Sequence, residues 1–170
     1  MAVSLDPAEF ALVLYDPARI VALAEQVRDD IGLPADADIT VQIDESTPLT
    51  RRRIESIDPI VLSIQSGAFE EPKTPRGLSE PATADVLGRM LFRVRDRLDG
   101  DFGDPPDEAD LTPQQRNAWD TYSVARMRRL GYPAQRQRRL RGPRPTGPRC
   151  RPNRARPPSR AARRTGRRRR

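Results

Sequence analysis

The sequence predicts an α+β fold: a small two- or three-stranded sheet packed on one face by about three helices, with a disordered C-terminal tail. Three observations carry that prediction. Apolar residues recur at steps of three and four in three separate stretches. Two stretches between the first and second of these alternate apolar with polar residues. Large apolar residues disappear after Leu140.

Phe10 to Tyr15 reads FALVLY, a run short enough to be either a buried strand or the lead-in to a helix. Asp16 then suits an N-cap, and Pro17 suits the first helical position, where no N–H is needed. Ile20, Leu23, Ala24, Val27 and Ile31 form one stripe, so a helix is predicted over 17–31. Gly32 ends it and Pro34 prevents its resumption.

Ile39 to Asp44 (ITVQID) and Ile60 to Ser66 (IVLSIQS) show the two-residue period of half-buried strands. Between them, Thr50 to Ile57 (TRRRIESI) suits a third strand or a loop equally well. Residues 72–81 (PKTPRGLSEP) read as an extended connection, because three prolines remove donors and restrict their predecessors.

Residues 81–98 form the best helix. Val86, Leu87, Met90, Leu91, Val94 and Leu98 lie on one stripe. Asp85, Arg89, Arg93, Asp96 and Asp99 lie on the other face, with Phe92 among them. A contact between Phe92 and the last helix is expected. That helix is predicted over 113–130, with Thr112 as cap, Gln115 as its capping-box partner, and Trp119, Tyr122, Met127 and Leu130 as its apolar face. Gly131, Tyr132 and Pro133 should close it with a Schellman turn.

The net charge of +7 conceals two opposed regions. Residues 1–135 carry 15 basic and 24 acidic side chains, a net charge of −9. Residues 136–170 carry the other 16 basic residues and no acid. The chain therefore reads as an acidic globular domain over 1–135 and a basic Arg/Pro-rich tail over 136–170. Lys73 is the single lysine.

The N-terminal residues lack the basic-then-apolar pattern of a secretory signal. No apolar run approaches the ~18 residues of a membrane span. The expected location is the cytoplasm, with no membrane partner.

The absence of histidine excludes Ser–His–Asp and Cys–His catalysis and every His-ligated metal site. The single cysteine, Cys150, lies in the tail, and neither a G-x-G-x-x-G nor a P-loop pattern is present. No catalytic residue, cofactor or metal is assigned. Glu70, Glu71 and Asp44 at the sheet ends leave a carboxylate-dependent enzyme as a minor alternative. The acidic loop Asp99–Asp110 departs from a calcium loop, with Asp104 where glycine is required and no glutamate at the last position. Arg51, Arg52 and Arg53 could bind phosphate, although such exposed clusters more often make weak ion pairs.

The tail holds the strongest functional feature. Residues 141–170 contain 13 arginines and 6 prolines, with neither acid nor aromatic. Such a segment buries too little apolar surface to fold, and it binds nucleic acid through phosphates without base readout. The residues assigned to DNA or RNA are Arg149, Arg151, Arg154, Arg156, Arg160, Arg163, Arg164, Arg167, Arg168, Arg169 and Arg170. The rival reading makes the body a protein-interaction or scaffold domain. In that case the tail is irrelevant, or is the product of a GC-rich gene read in a shifted frame after about residue 140.

Overall fold

Asp16 accepts a hydrogen bond from the Ala18 N–H at 3.0 Å, and the chain turns into helix α1 (Pro17–Ile31). Ile20, Leu23, Ala24, Val27 and Ile31 are all buried. Burying each large side chain among them contributes ~1.5–3 kcal/mol relative to leaving it exposed. Gly32 ends the helix in the left-handed conformation at φ 78°, where its N–H meets the Arg28 and Asp29 carbonyls.

The structure, a computed structural model, describes residues 3–133. The expectations for the tail, including the eleven arginines from Arg149 to Arg170, lie outside the described residues.

The α+β class stands. The sheet has four strands rather than two or three: β1 (Val3–Asp6), β2 (Ile39–Asp44), β3 (Arg52–Ile57) and β4 (Ile60–Gln65), in the order β1-β2-β4-β3. β1 and β4 both run parallel to β2, and β3 pairs antiparallel with β4. The added strand is only four residues long, VSLD, and its partner is more than thirty residues away. No local pattern marks it. Thr50–Ile57 resolves as strand β3, with a bulge between Ile54 and Ser56.

Ile39, Val41, Ile43, Ile54, Leu62 and Ile64 form the buried side of the sheet. Thr40, Gln42, Ser63 and Gln65 lie on the other side, half exposed and uncovered. α1 contacts β1, and α2 (Glu80–Leu98) contacts β3. The third helix, α3 (Pro113–Arg129), packs mainly on α2 and reaches the sheet through the Asp120–Arg52 ion pair, which completes the three helices expected.

The 72–81 connection is more ordered than expected. β5 (Glu70–Glu71) and β6 (Thr74–Leu78) form a two-stranded hairpin. FALVLY is neither strand nor helix. Val13 and Tyr15 point inward and Leu12 and Leu14 outward, but the backbone pairs at one point only, where the Leu14 N–H meets the Arg76 carbonyl at 2.8 Å. Gly67 sits in the 3-10 turn after β4. A Cβ there would lie 2.0 Å from the Pro48 carbonyl oxygen, a backbone atom that cannot swing aside.

α3 begins with the predicted capping box: the Gln115 N–H donates to Thr112 Oγ1 at 3.2 Å, and the Thr112 N–H donates to Gln115 Oε1 at 2.9 Å. It ends with the predicted Schellman bond, the Tyr132 N–H donating to the Met127 carbonyl at 3.1 Å. Its apolar face is narrower than expected. Trp119 and Met127 are buried, whereas Tyr122 and Leu130 are exposed.

Candidate functional site

The charged face of α2 is not in water. Asp85, Arg93 and Asp96 are buried, and Arg93 is only 1% exposed. α3 and the 99–111 segment lie across this face, and an ion network joins the three layers. Arg93 and Arg97 both reach Glu108, at 2.8 and 3.0 Å. Asp96 accepts from Arg126 at 2.5 Å and from the Trp119 indole N–H at 2.8 Å. Arg89 pairs with Asp85 at 2.7 Å and approaches Asp120 at 3.5 Å, and Arg52 from β3 reaches the same Asp120 oxygen at 2.5 Å. Burial pushes the Arg93 guanidinium pKa down, while the nearby Glu108 and Asp120 carboxylates oppose that shift.

Aromatic groups complete the contact. The Arg126 guanidinium lies 3.8 Å from the centre of the Phe92 ring, so Phe92 does meet the last helix, through a cation. Phe102 stacks on Trp119 at 5.5 Å, and Arg97 lies 4.5 Å from the same indole. Gly88 admits α3: a Cβ there would fall 2.2 Å from the Met127 sulfur.

This network is built for cohesion. Each of its carboxylates already faces at least one guanidinium, which leaves none of them set apart as a general base. Among the described residues, four buried polar side-chain atoms lack hydrogen-bond partners: Arg52 Nε, Arg93 Nε, Asp120 Oδ1 and Ser123 Oγ.

Among the described residues, clefts adjoin it, two of which bear on the candidate residues. One, of about 600 Å³, lies between α2, the start of β3 and the β5–β6 hairpin. It brings Glu70, Glu71 and Asp85 together with Arg52 and Arg89. Glu70 accepts from the Arg76 N–H, and Asp85 is held by Arg89. Glu70 and Glu71, expected at a sheet end, are half buried on β5. The other cleft, of about 660 Å³, runs along β3 beside the uncovered sheet face, where Arg51, Arg53 and Arg116 converge.

Asp44 borders this second cleft, away from Glu70 and Glu71. The Ser46 hydroxyl, followed by the Ser46 N–H, holds the Asp44 carboxyl below the ordinary carboxylate range. That shift disfavours proton uptake near neutral pH. The acidic loop wraps no common centre. Asp99 caps the turn at Gly100–Phe102, and among the described residues no three His, Cys, Asp or Glu side chains gather as a metal would require.

Compared with known protein families, curated proteins and solved structures, the chain matches none. Among the described residues no helix is long and apolar enough to cross a membrane.

Sequence reasoning missed the buried network because the charges on α2 recur at the spacings of a solvated face. The matching pattern on α3 was present: Asp120, Ser123 and Met127 share one side of that helix, and they meet Arg89, α2 and Gly88.

Proposed function

We propose that the protein is a non-catalytic binding protein whose folded body carries an arginine-rich segment that binds nucleic acid through its phosphates. One observation carries this reading. Half of the body's described arginines, seven of fourteen, are paired with its own carboxylates, and a net charge of −9 remains over residues 1–135. The capacity to neutralise a polyanion therefore concentrates in residues 136–170, which hold 16 basic residues and no acid.

The test compares the full chain with a full-length variant in which the eleven arginines from Arg149 to Arg170 are glutamine. Both are titrated against a labelled mixed-sequence DNA duplex over a salt series. The wild type should lose about a thousandfold in affinity between about 50 mM and about 200 mM salt if about six phosphates are contacted. The variant should bind weakly at all salt concentrations. Equal binding by the two chains sinks the proposal.

A second reading, a protein-interaction body, is favoured by Leu12 and Leu14, which are 57% and 77% exposed side by side on the segment that joins the hairpin. Leu12→Ser with Leu14→Ser would abolish such an association and leave DNA binding intact.

A further inference from the structure

We infer that the body holds a second phosphate-contacting surface of its own: the cleft along β3, where Arg51, Arg53 and Arg116 take the backbone phosphates of the nucleic acid that the tail recruits. The inference rests on the nucleic-acid reading and adds a place on the fold to it.

Seven of the fourteen described arginines sit in close ion pairs. Three of the other seven line this one cleft. Among the described residues, Arg51 and Arg116 make no ion pair, and Arg53 makes only a loose one, 3.6 Å from Glu55, with its side chain 66% exposed. All three line one cleft of about 660 Å³.

The acids of the same cleft are Asp44, Glu55 and Glu108, and Glu55 is paired only loosely, with Arg53. Glu108 has one oxygen on Arg93 and the other on Arg97. Asp44 accepts from the Ser46 N–H, the Ser46 hydroxyl and the Thr47 hydroxyl. With four arginines against these three acids, the lining carries one positive charge in excess, although the body as a whole is acidic. A groove lined by available guanidiniums attracts phosphate by charge and by bidentate hydrogen bonding.

The fold explains how the three side chains meet. β3 alternates, so Arg52 faces α2 and α3 while Arg53, paired with Ser63, lies on the uncovered face. Arg51 is fixed just before the strand: its N–H donates to Gln65 Oε1 at 3.3 Å, and its carbonyl accepts from the Gln65 N–H at 2.9 Å. Arg116, on the first turn of α3, donates to the Glu108 carbonyl at 3.2 Å, which draws it toward the sheet. Ser63 and Gln65 supply neutral polar groups on the same floor. No aromatic side chain lines the cleft, so it offers no stacking platform, and its binding is independent of base sequence.

The test uses the full chain and a full-length Arg51→Gln/Arg53→Gln/Arg116→Gln variant, titrated with the same duplex over salt. Loss of three phosphate contacts should reduce the slope of log affinity against log salt by about 2.7 and weaken binding roughly tenfold at low salt. Arg→Lys at the same three positions should restore the slope, and an unchanged thermal midpoint excludes misfolding. An unchanged slope in the glutamine variant overturns the site while leaving the tail reading intact. If the wild-type chain fails to bind the duplex, both readings fall. If a free nucleoside triphosphate competes for the cleft as tightly as duplex does, the site is one for small phosphates and the nucleic-acid assignment is wrong. If the tail-substituted chain binds as tightly as wild type and loses binding only with the three cleft substitutions, the cleft stands and the tail reading falls.

Discussion

Arg52 and Arg53 are adjacent in the chain and opposite in circumstance. Arg52 reaches Asp120 at 2.5 Å beneath α3, with its side chain 23% exposed. Arg53 stands 66% exposed on the other side of the same strand, 3.6 Å from its nearest carboxylate. The pleat alone separates them. On the covered side, guanidiniums are desolvated, and each matched carboxylate is needed to keep them there. On the open side they are hydrated, and a matched carboxylate adds little. Identical residue types therefore serve cohesion on one face of β3 and are available for binding on the other.

The sharpest way to break this contrast is Glu108→Ala. It removes the common partner of Arg93 and Arg97 and leaves a buried guanidinium uncompensated, which should cost about 3–5 kcal/mol. The urea midpoint should fall accordingly at unchanged m-value. Arg93→Met should cost far less, because it removes the buried cation itself while Glu108 keeps Arg97. Equal losses in the two variants would mean that an uncompensated Arg93 charge is not the source of the Glu108→Ala loss.

A smaller effect separates the neighbours directly. Arg52→Gln leaves Asp120, whose Oδ1 already lacks a partner, with Arg89 alone at 3.5 Å, and should cost about 1–3 kcal/mol. Arg53→Gln should stay within about 0.5 kcal/mol, the range of surface substitutions. If thermal melting ranked the two variants the other way, the assignment of sides along β3 would be wrong.

Much of the fold was legible because it is encoded locally. The cap at Asp16, the stop at Gly32 and the box at Thr112 and Gln115 are chemistry within four residues, and α1 falls on 17–31 as predicted. Strand β1 was illegible because a parallel edge strand is defined by its distant partner, Ile39–Gln42, and not by its own four residues. The candidate site divides in the same way. The Arg51–Arg53 cluster was visible as a cluster, but its convergence with Arg116 depends on where α3 begins. The burial of Arg93 and Asp96 was hidden because helical spacing reports which residues share a face, not what covers that face.

Asp44 provides the finest test, since it is the open side's counterpart to the buried carboxylates. It is exposed, and its oxygens serve the turn after β2 by accepting from Ser46 and Thr47. Those bonds favour the charged form, so its pKa is depressed in the folded state. The sign follows from that direction. Between its unfolded value, about 3.9, and its lower folded value, the unfolded chain takes up a proton that the folded chain refuses. The contribution is therefore complete above about pH 4 and is lost as pH falls through the folded pKa. Asp44→Asn should flatten the acid limb of the stability curve, followed by urea unfolding at successive pH values, and leave the neutral limb parallel to wild type. The same substitution removes one negative charge from the cleft that holds Arg51 and Arg53, so it should also tighten duplex binding modestly at low salt and not at high salt. A flattened acid limb without tighter binding would make Asp44 a turn anchor alone. Tighter binding would tie the turn to the charge balance of the cleft.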